Sequence, residues 1–319
     1  MNNPKKRRLR LLDPLRDGKG VEKGEDTHPT LKRFFKLWGR KFWRLIEVNF
    51  FILVQILPLL GCLFLYIAGP KVSTQQDMLY PALLGAQTAM PTTVGSTLFN
   101  GAAGLLHSSP IFNSWAHWVM AGLLIFQIVT YGWQRVGTTY ILRNMVRGDG
   151  VFLFSDYFHA IKRNLRQGFL VGLLDCAILG TLAFNFVYYL SAPATGINNF
   201  MYVLTIALTL VYIIMRFYIY LMLVTFDMKI SKMLKNALIF TALGIKRNLM
   251  ALLGIAALVG VMILLAILLL QVNVYAVLIL PFIFLLGSVG FMHTYAAYPI
   301  IERYMIAPPP ANEADTEEE

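Results

Sequence analysis

Residues 249–301 read LMALLGIAALVGVMILLAILLLQVNVYAVLILPFIFLLGSVGFMHTYAAYPII and contain no aspartate, glutamate, lysine or arginine. An α-helix rises about 1.5 Å per residue, so this stretch would measure about 80 Å as one continuous helix. The hydrocarbon core of a bilayer is only about 30 Å thick and is crossed by about 20 apolar residues. The stretch therefore predicts two membrane spans, residues 249–271 and 274–301, joined by a turn near Gln271, Val272 and Asn273.

Four more apolar segments predict spans at residues 48–68, 115–142, 167–191 and 199–226. The composition agrees, since 57% of the residues are hydrophobic, 14% are charged and the mean hydropathy is +0.60, whereas about a quarter of the residues are charged in soluble domains. We predict an all-α, polytopic membrane bundle of six transmembrane helices within residues 31–306, which excludes a soluble enzyme fold. The polar, basic residues 1–30 and the acidic residues 307–319 are predicted to be disordered tails.

The positive charges are distributed very unequally between the two sides of the predicted bundle. Of the 28 lysines and arginines, 25 lie in residues 1–44, 143–166 and 229–247 or at Arg303. Lys71 alone lies in the loops of the opposite side, the longest of which covers residues 69–114. Because positive charges resist translocation, both termini are predicted to be cytoplasmic. The net charge of +11 then belongs to membrane topology, and we expect the lipid bilayer as a partner and no nucleic acid.

A basic amphipathic segment precedes each of the three spans that begin on the cytoplasmic side. Apolar side chains recur in these segments at helical spacing, opposite lysines and arginines. Such segments are predicted to form three interfacial helices in the plane of the lipid headgroups, each with its apolar face towards the bilayer. The three apolar stripes consist of Leu31, Phe34, Phe35, Trp38, Phe42, Leu45 and Ile46; of Phe154, Tyr157, Phe158, Ile161 and Leu165; and of Ile230, Met233, Leu234, Ala237, Leu238, Thr241 and Ile245.

Ionisable side chains within the spans are candidates for a functional site, because charge inside a membrane is costly. The candidates are Glu47, Arg135, Asp175, Arg216 and His293. Asp175 and Arg216 lie at similar depth on two successive helices, which leaves a lateral ion pair open. One interpretation is a polar cavity in the inner leaflet whose arginines bind an anionic or polyhydroxylated ligand. The other is that the charges pair with one another and stabilise the bundle, with Arg135 and Glu47 reaching the headgroups.

Motifs for catalysis or metal binding are not found in the sequence. It contains no P-loop, no G-x-S-x-G, no H-E-x-x-H and no G-x-G-x-x-G, so none of the reactions that depend on these motifs is predicted. The two cysteines, Cys62 and Cys176, lie within apolar segments and form no metal-ligand spacing. We therefore predict a protein that is not an enzyme and has no catalytic residues, no cofactor and no metal site.

The second basic region resembles a known family. The stretches Gln134–Gly150 and Phe154–Gln167, the latter reading FSDYFHAIKRNLRQ, together with Asn49 and Pro58 in the first span, resemble the YesL-like family of bacterial integral membrane proteins. The similarity covers roughly residues 38–60 and 130–250. The family has no assigned biochemical activity, and its members look like accessory proteins of carbohydrate use that are often encoded near sugar ABC transporters. The resemblance thus implies a bacterial cell membrane protein, with ABC permease or ATPase subunits as possible partners.

Two functions follow from these patterns. The first is an accessory or regulatory component of carbohydrate ABC transport that docks through its cytoplasmic helices. The sequence Lys-Arg-Asn occurs twice, each time directly before a span, and both copies belong to the candidate docking residues. These residues are Asp156, Phe158, Lys162, Arg163, Asn164, Lys246, Arg247 and Asn248. The alternative is a stand-alone transporter of small solutes or lipid headgroups that uses an inner-leaflet charged cavity.

Overall fold

The computed structural model describes residues 28–69, 71–73, 108–110, 114–271 and 279–306. Almost all of the predicted tails, most of loop 69–114 and the predicted turn after Gln271 lie outside these residues. The helices are α1 (Leu31–Arg40), α2 (Phe42–Ala68), α3 (Trp115–Arg147), α4 (Leu153–Arg163), α5 (Leu165–Ser191), α6 (Gly196–Thr225), α7 (Ile230–Leu243), α8 (Ile245–Gln271) and α9 (Leu286–Ile301). Two π-helical segments, Pro281–Leu285 and Glu302–Ile306, flank α9.

Six helical segments in the described part of the chain are long and apolar enough to cross a membrane. They are α2, α3, α5, α6, α8 and the composite segment Pro281–Ile306. The prediction of an all-α, polytopic bundle is therefore confirmed. The only sheet in the described ranges is a short antiparallel ribbon in the long loop, which pairs Lys71–Ser73 with Ser108–Pro110.

Each amphipathic helix is separated from the span that follows it by a single residue. Lys41 separates α1 from α2, Asn164 separates α4 from α5, and Gly244 separates α7 from α8. The first predicted stripe runs through such a break, because Phe42, Leu45 and Ile46 belong to the spanning helix α2. We call the end of the bundle that carries α1, α4 and α7 the basic end.

The break at Lys41 is tied to the loop between α3 and α4. The Lys41 ammonium donates a hydrogen bond to the carbonyl oxygen of Asp149 at 3.5 Å. Partial burial lowers the pKa of Lys41, and the neighbouring charges of Arg40 and Arg44 lower it further. The contact holds the first and second amphipathic helices at the same end of the bundle.

The amphipathic helices bury part of their apolar stripes against the protein, so only the remaining part of each stripe is available to lipid. Phe34 of α1 packs against Phe291 and Tyr295 of α9, with ring centroids 5.8 Å and 5.3 Å apart. Tyr157 of α4 lies over Gly137 of α3, and Met233 of α7 is fully buried. The three helices therefore close the basic end of the bundle. Other residues of the stripes, such as Phe35 and Phe154, remain exposed.

Helices α3 and α5 approach each other most closely at glycines. A Cβ atom built on Gly172 would lie 2.3 Å from the Cα of Gly132, and one built on Gly132 would lie 2.0 Å from the carbonyl oxygen of Gly168. Small residues allow membrane helices to pack backbone against backbone, which increases dispersion contacts where no hydrophobic effect drives association. This contact sets the distance between α3 and α5 close to the buried charges described below.

Substitution of Gly172 by leucine is expected to lower the free energy of unfolding by about 1–3 kcal/mol, because the added side chain forces α3 and α5 apart. Gly180 of the same helix is the matched control, since a Cβ there meets no atom within 4 Å. Thermal denaturation of the two variants in mild detergent would measure the difference. Equal melting temperatures for Gly172→Leu and Gly180→Leu would contradict the importance of this contact.

A second polar contact joins α2 to the last span. The side-chain amide of Asn49, which is completely buried, donates to the carbonyl oxygen of Phe282 and accepts a hydrogen bond from the backbone N–H of Gly287 at 2.9 Å. Both partners lie in or beside the π-helical segment Pro281–Leu285. A π-helix shifts the backbone hydrogen-bond register, and Asn49 supplies partners for two polar groups of this segment.

Candidate functional site

Asp175 of α5 lies at the centre of a buried polar cluster between α3, α5 and α6. The Nε atom of Arg216 lies 2.8 Å from Oδ1 of Asp175 and 3.1 Å from Oδ2. Tyr212 donates to Oδ1 at 2.9 Å, and Tyr220 donates to Oδ2 at 2.8 Å. The side chain of Asp175 is 2% exposed and that of Arg216 is 14% exposed. The ion pair that the sequence allowed is therefore present, and its carboxylate is shielded from solvent.

The geometry of α6 explains this convergence. Tyr212, Arg216 and Tyr220 are spaced four residues apart, so they form one stripe on the face of α6 that meets α5. Arg216 also donates through Nη2 to the hydroxyl of Tyr131 on α3, which links a third helix to the pair. The tyrosines are not among the residues predicted from the sequence. Their spacing around Arg216 was the signal that could have identified them.

Arg135 lies beside this cluster without joining the ion pair. Its guanidinium carbon is 5.7 Å from the centroid of the Tyr220 ring, within the range of a cation–π contact. Its buried Nε has no hydrogen-bond partner among the described residues. The Nε atom of Arg135 is therefore buried in the protein, while the interpretation that the end of this side chain reaches the headgroups stays a prediction.

His293 lies beside the polar cluster, whereas Glu47 lies apart from it. The ring of His293 stacks on Phe217, with centroids 4.5 Å apart and planes 9° from parallel. Glu47 accepts a hydrogen bond from Arg44 at 2.7 Å, and both side chains are about half exposed. Of the five candidate intramembrane residues, the structure brings Asp175, Arg216 and Arg135 together, and His293 of α9 lies within range of the charges of Arg135 and Arg216. Glu47 lies apart from them at the start of α2.

The candidate docking residues differ widely in accessibility. Phe158, Lys162, Arg163 and Lys246 are exposed. Asp156 accepts a hydrogen bond from the backbone N–H of Phe152 at 2.8 Å, and Asn164 donates to the carbonyl oxygen of Ala160 at 2.9 Å. Both thus stabilise the ends of α4.

Asn248 stabilises the fold from a buried position, which corrects its assignment to a docking surface, and the partly buried Arg247 also contacts the protein itself. Arg247 donates to the carbonyl oxygen of Pro29 at 3.0 Å and so holds the segment before α1. Asn248 is completely buried, accepts from the Tyr218 hydroxyl at 2.7 Å and donates to the Thr241 carbonyl oxygen at 3.1 Å. A partner protein has no access to Asn248, and the accessible part of the docking set is concentrated on α4.

A large open groove that the sequence does not predict lies between α2, α3 and α4. Its volume is about 1190 Å³, and Arg44 and Glu47 stand at one end. Apolar side chains of the three helices form most of its wall, among them Phe50, Val54, Phe126, Trp133, Phe154 and Phe158.

The groove has a small polar floor. The amide of Gln55 donates to the hydroxyls of Thr138 at 3.0 Å and of Tyr157 at 3.3 Å. Gln134 donates to the hydroxyl of Thr130 at 2.9 Å. Burial raises the pKa of Tyr157 to about 12, so its hydroxyl keeps its proton at neutral pH and serves as a neutral hydrogen-bonding group.

Metal ligands do not cluster in the part of the chain that the structure describes, which holds no group of three or more histidine, cysteine, aspartate or glutamate side chains suited to a metal ion. No protein-family model, curated protein or solved structure matches the chain. The resemblance to the YesL-like family therefore stays a prediction.

Proposed function

We propose that the chain is an accessory component of carbohydrate ABC transport in the bacterial cell membrane, and that it contacts a permease or ATPase subunit through α4. In this proposal the basic end faces the cytoplasm, as the distribution of lysine and arginine predicts. The chain itself carries out no chemical step and uses no cofactor. The proposal rests on the resemblance of α4 and its flanks to the YesL-like family and on the two structural features that follow.

The observation that most supports an accessory role is the exposed basic surface of α4. Lys162 and Arg163 are exposed, and within the described ranges neither lies in an ion pair. Tyr157 and Ala160, on the opposite side of the helix, are buried. The bundle therefore fixes α4 in place while leaving its cations available. An acidic surface on a partner would be complementary to this face.

The buried charges also favour this function over transport through a charged cavity. Both carboxylate oxygens of Asp175 accept hydrogen bonds from within the bundle, and Arg216 is bound to Asp175 and Tyr131. A solute that used this pair would have to displace these contacts. The cluster is better suited to hold α3, α5 and α6 together.

Charge reversal of α4 provides the test. We expect the double variant Lys162→Glu/Arg163→Glu, expressed at native level, to lose about tenfold or more of the ABC subunits that co-purify with the parent protein, because rim charges govern association. Lys232→Glu/Lys235→Glu in α7 is the matched control, since those lysines are also exposed on an amphipathic helix. Mass spectrometry of the purified material in mild detergent measures the partner. A parent chain that purifies alone would overturn the proposal.

A stand-alone transporter of small solutes or lipid headgroups is the alternative. Arg135 is the observation in its favour, because a buried guanidinium nitrogen without a partner is a ready donor for an anionic or polyhydroxylated ligand. Uptake by reconstituted, solitary protein that is lost on substitution of Arg135 by glutamine, with unchanged thermal stability, would establish transport and displace the accessory role.

A further inference from the structure

The groove between α2, α3 and α4 differs from the convex, lipid-facing surface of an ordinary spanning helix. Spanning helices form two of its walls and the amphipathic helix α4 forms the third. Its volume of about 1190 Å³ exceeds the range of about 300–1,000 Å³ that is typical of pockets for small ligands. The groove can therefore hold an occupant that is large and mostly apolar and that enters from the side.

The length of the groove matches one leaflet of a bilayer. Arg44 and Gln55 both line the groove, and the eleven residues from one to the other correspond to about 16 Å along α2. Half of the hydrocarbon core measures about 15 Å. The charged end of the groove therefore lies at the level of the headgroups when the end at Gln55 lies near the bilayer midplane.

The charged end carries one cation and one anion. The side chains of Arg44 and Glu47 are 53% and 45% exposed, and they pair at 2.7 Å. A guanidinium binds a phosphate with two parallel hydrogen bonds, whereas a carboxylate binds a primary ammonium. An exposed ion pair is worth only about 0–1 kcal/mol. Arg44 and Glu47 can therefore separate and bind the phosphate and the ammonium of one ligand instead of each other.

We propose that this groove binds one phospholipid of the adjoining leaflet, and that the headgroup of this lipid carries an amine as well as a phosphate. The acyl chains lie against Phe50, Val54 and Phe126, and the headgroup lies at Arg44 and Glu47. This binding does not depend on the accessory role, because the headgroup contacts, Arg44 and Glu47, belong to α2 and not to α4.

Native mass spectrometry of the full chain tests the proposal. The purified protein is titrated with phosphatidylethanolamine or phosphatidylglycerol of identical acyl chains. We expect one tightly bound phosphatidylethanolamine per chain, preferred about fivefold over phosphatidylglycerol, which corresponds to about 1 kcal/mol. Glu47→Gln is expected to abolish this preference, because it removes the partner of the amine and leaves Arg44 for the phosphate.

Occlusion of the groove is the second arm. Val54 lines the groove and is 65% exposed, so Val54→Trp fills the groove without disturbing the core and should weaken lipid binding about tenfold. Leu57→Trp is the control, because Leu57 lies on the same helix, is 56% exposed and is not part of the groove wall. Equal binding by the two variants, or no bound lipid on the parent, would overturn the proposal. Equal affinity of the parent for the two lipids would overturn the assignment of the headgroup.

Discussion

Replacement of Arg216 by leucine is expected to destabilise the protein by about 3–5 kcal/mol, because it leaves the charge of Asp175 buried without a cation. Asp175 is 2% exposed, so water cannot replace the lost guanidinium without opening the bundle. The hydroxyls of Tyr212 and Tyr220 would still donate to the carboxylate, but they carry no positive charge. Reversible unfolding in mixed micelles, followed by tryptophan fluorescence, measures the change.

Two further variants separate the loss of an ion pair from the loss of a large side chain. Adding Asp175→Asn to Arg216→Leu removes the unpaired charge and keeps an acceptor for the tyrosines, so the double variant should recover more than half of the lost stability. Glu47→Gln breaks an ion pair that is about half exposed and should change stability by about 1 kcal/mol or less. A single variant Arg216→Leu as stable as Glu47→Gln would show that the cluster does not hold the bundle together.

The sequence was sufficient to predict the spans and the Asp175–Arg216 pair, because both follow from one-dimensional distances. A helix of known rise converts residue number into depth, and two opposite charges at equal depth on successive helices can meet. The tyrosines around the pair were not predicted, because a tyrosine in a span is also typical of interfacial anchoring. Their role depends on which face of α6 meets α5.

The repeated letters Lys-Arg-Asn led to a wrong inference about the second copy for a similar reason. Asn164 is the single residue between α4 and α5, whereas Asn248 lies four residues after the corresponding break at Gly244. The same letters therefore occupy different registers of the helix, and Asn248 faces Tyr218 in the core. Neither the groove nor the π-helical segments could be predicted, because both arise from how helices far apart in sequence pack.

The second large effect is expected at the contact between α2 and the last span. Asn49→Leu roughly keeps the volume of the side chain but removes both of its hydrogen bonds to the last span. The N–H of Gly287 loses its acceptor, and the carbonyl oxygen of Phe282 loses its donor. A buried polar group that loses its partner costs about 1–3 kcal/mol, so we expect a loss of about 2–5 kcal/mol for the two. The same unfolding measurement applies.

The helices approach closely beside Asn49 because Gly287 has no side chain, since a Cβ on Gly287 would lie 2.6 Å from the carbonyl oxygen of Leu45 and 3.4 Å from the Cβ of Asn49. Leucine at position 49 is therefore expected to shift the π-helical segment as well as to weaken it, which would expose its backbone amides to hydrogen exchange. Asn199→Leu on the exposed start of α6 is the matched control and should leave both stability and exchange unchanged. If Asn49→Leu alters stability without faster exchange at residues 281–287, the loss arises from packing within α2 and not from the backbone groups that Asn49 satisfies.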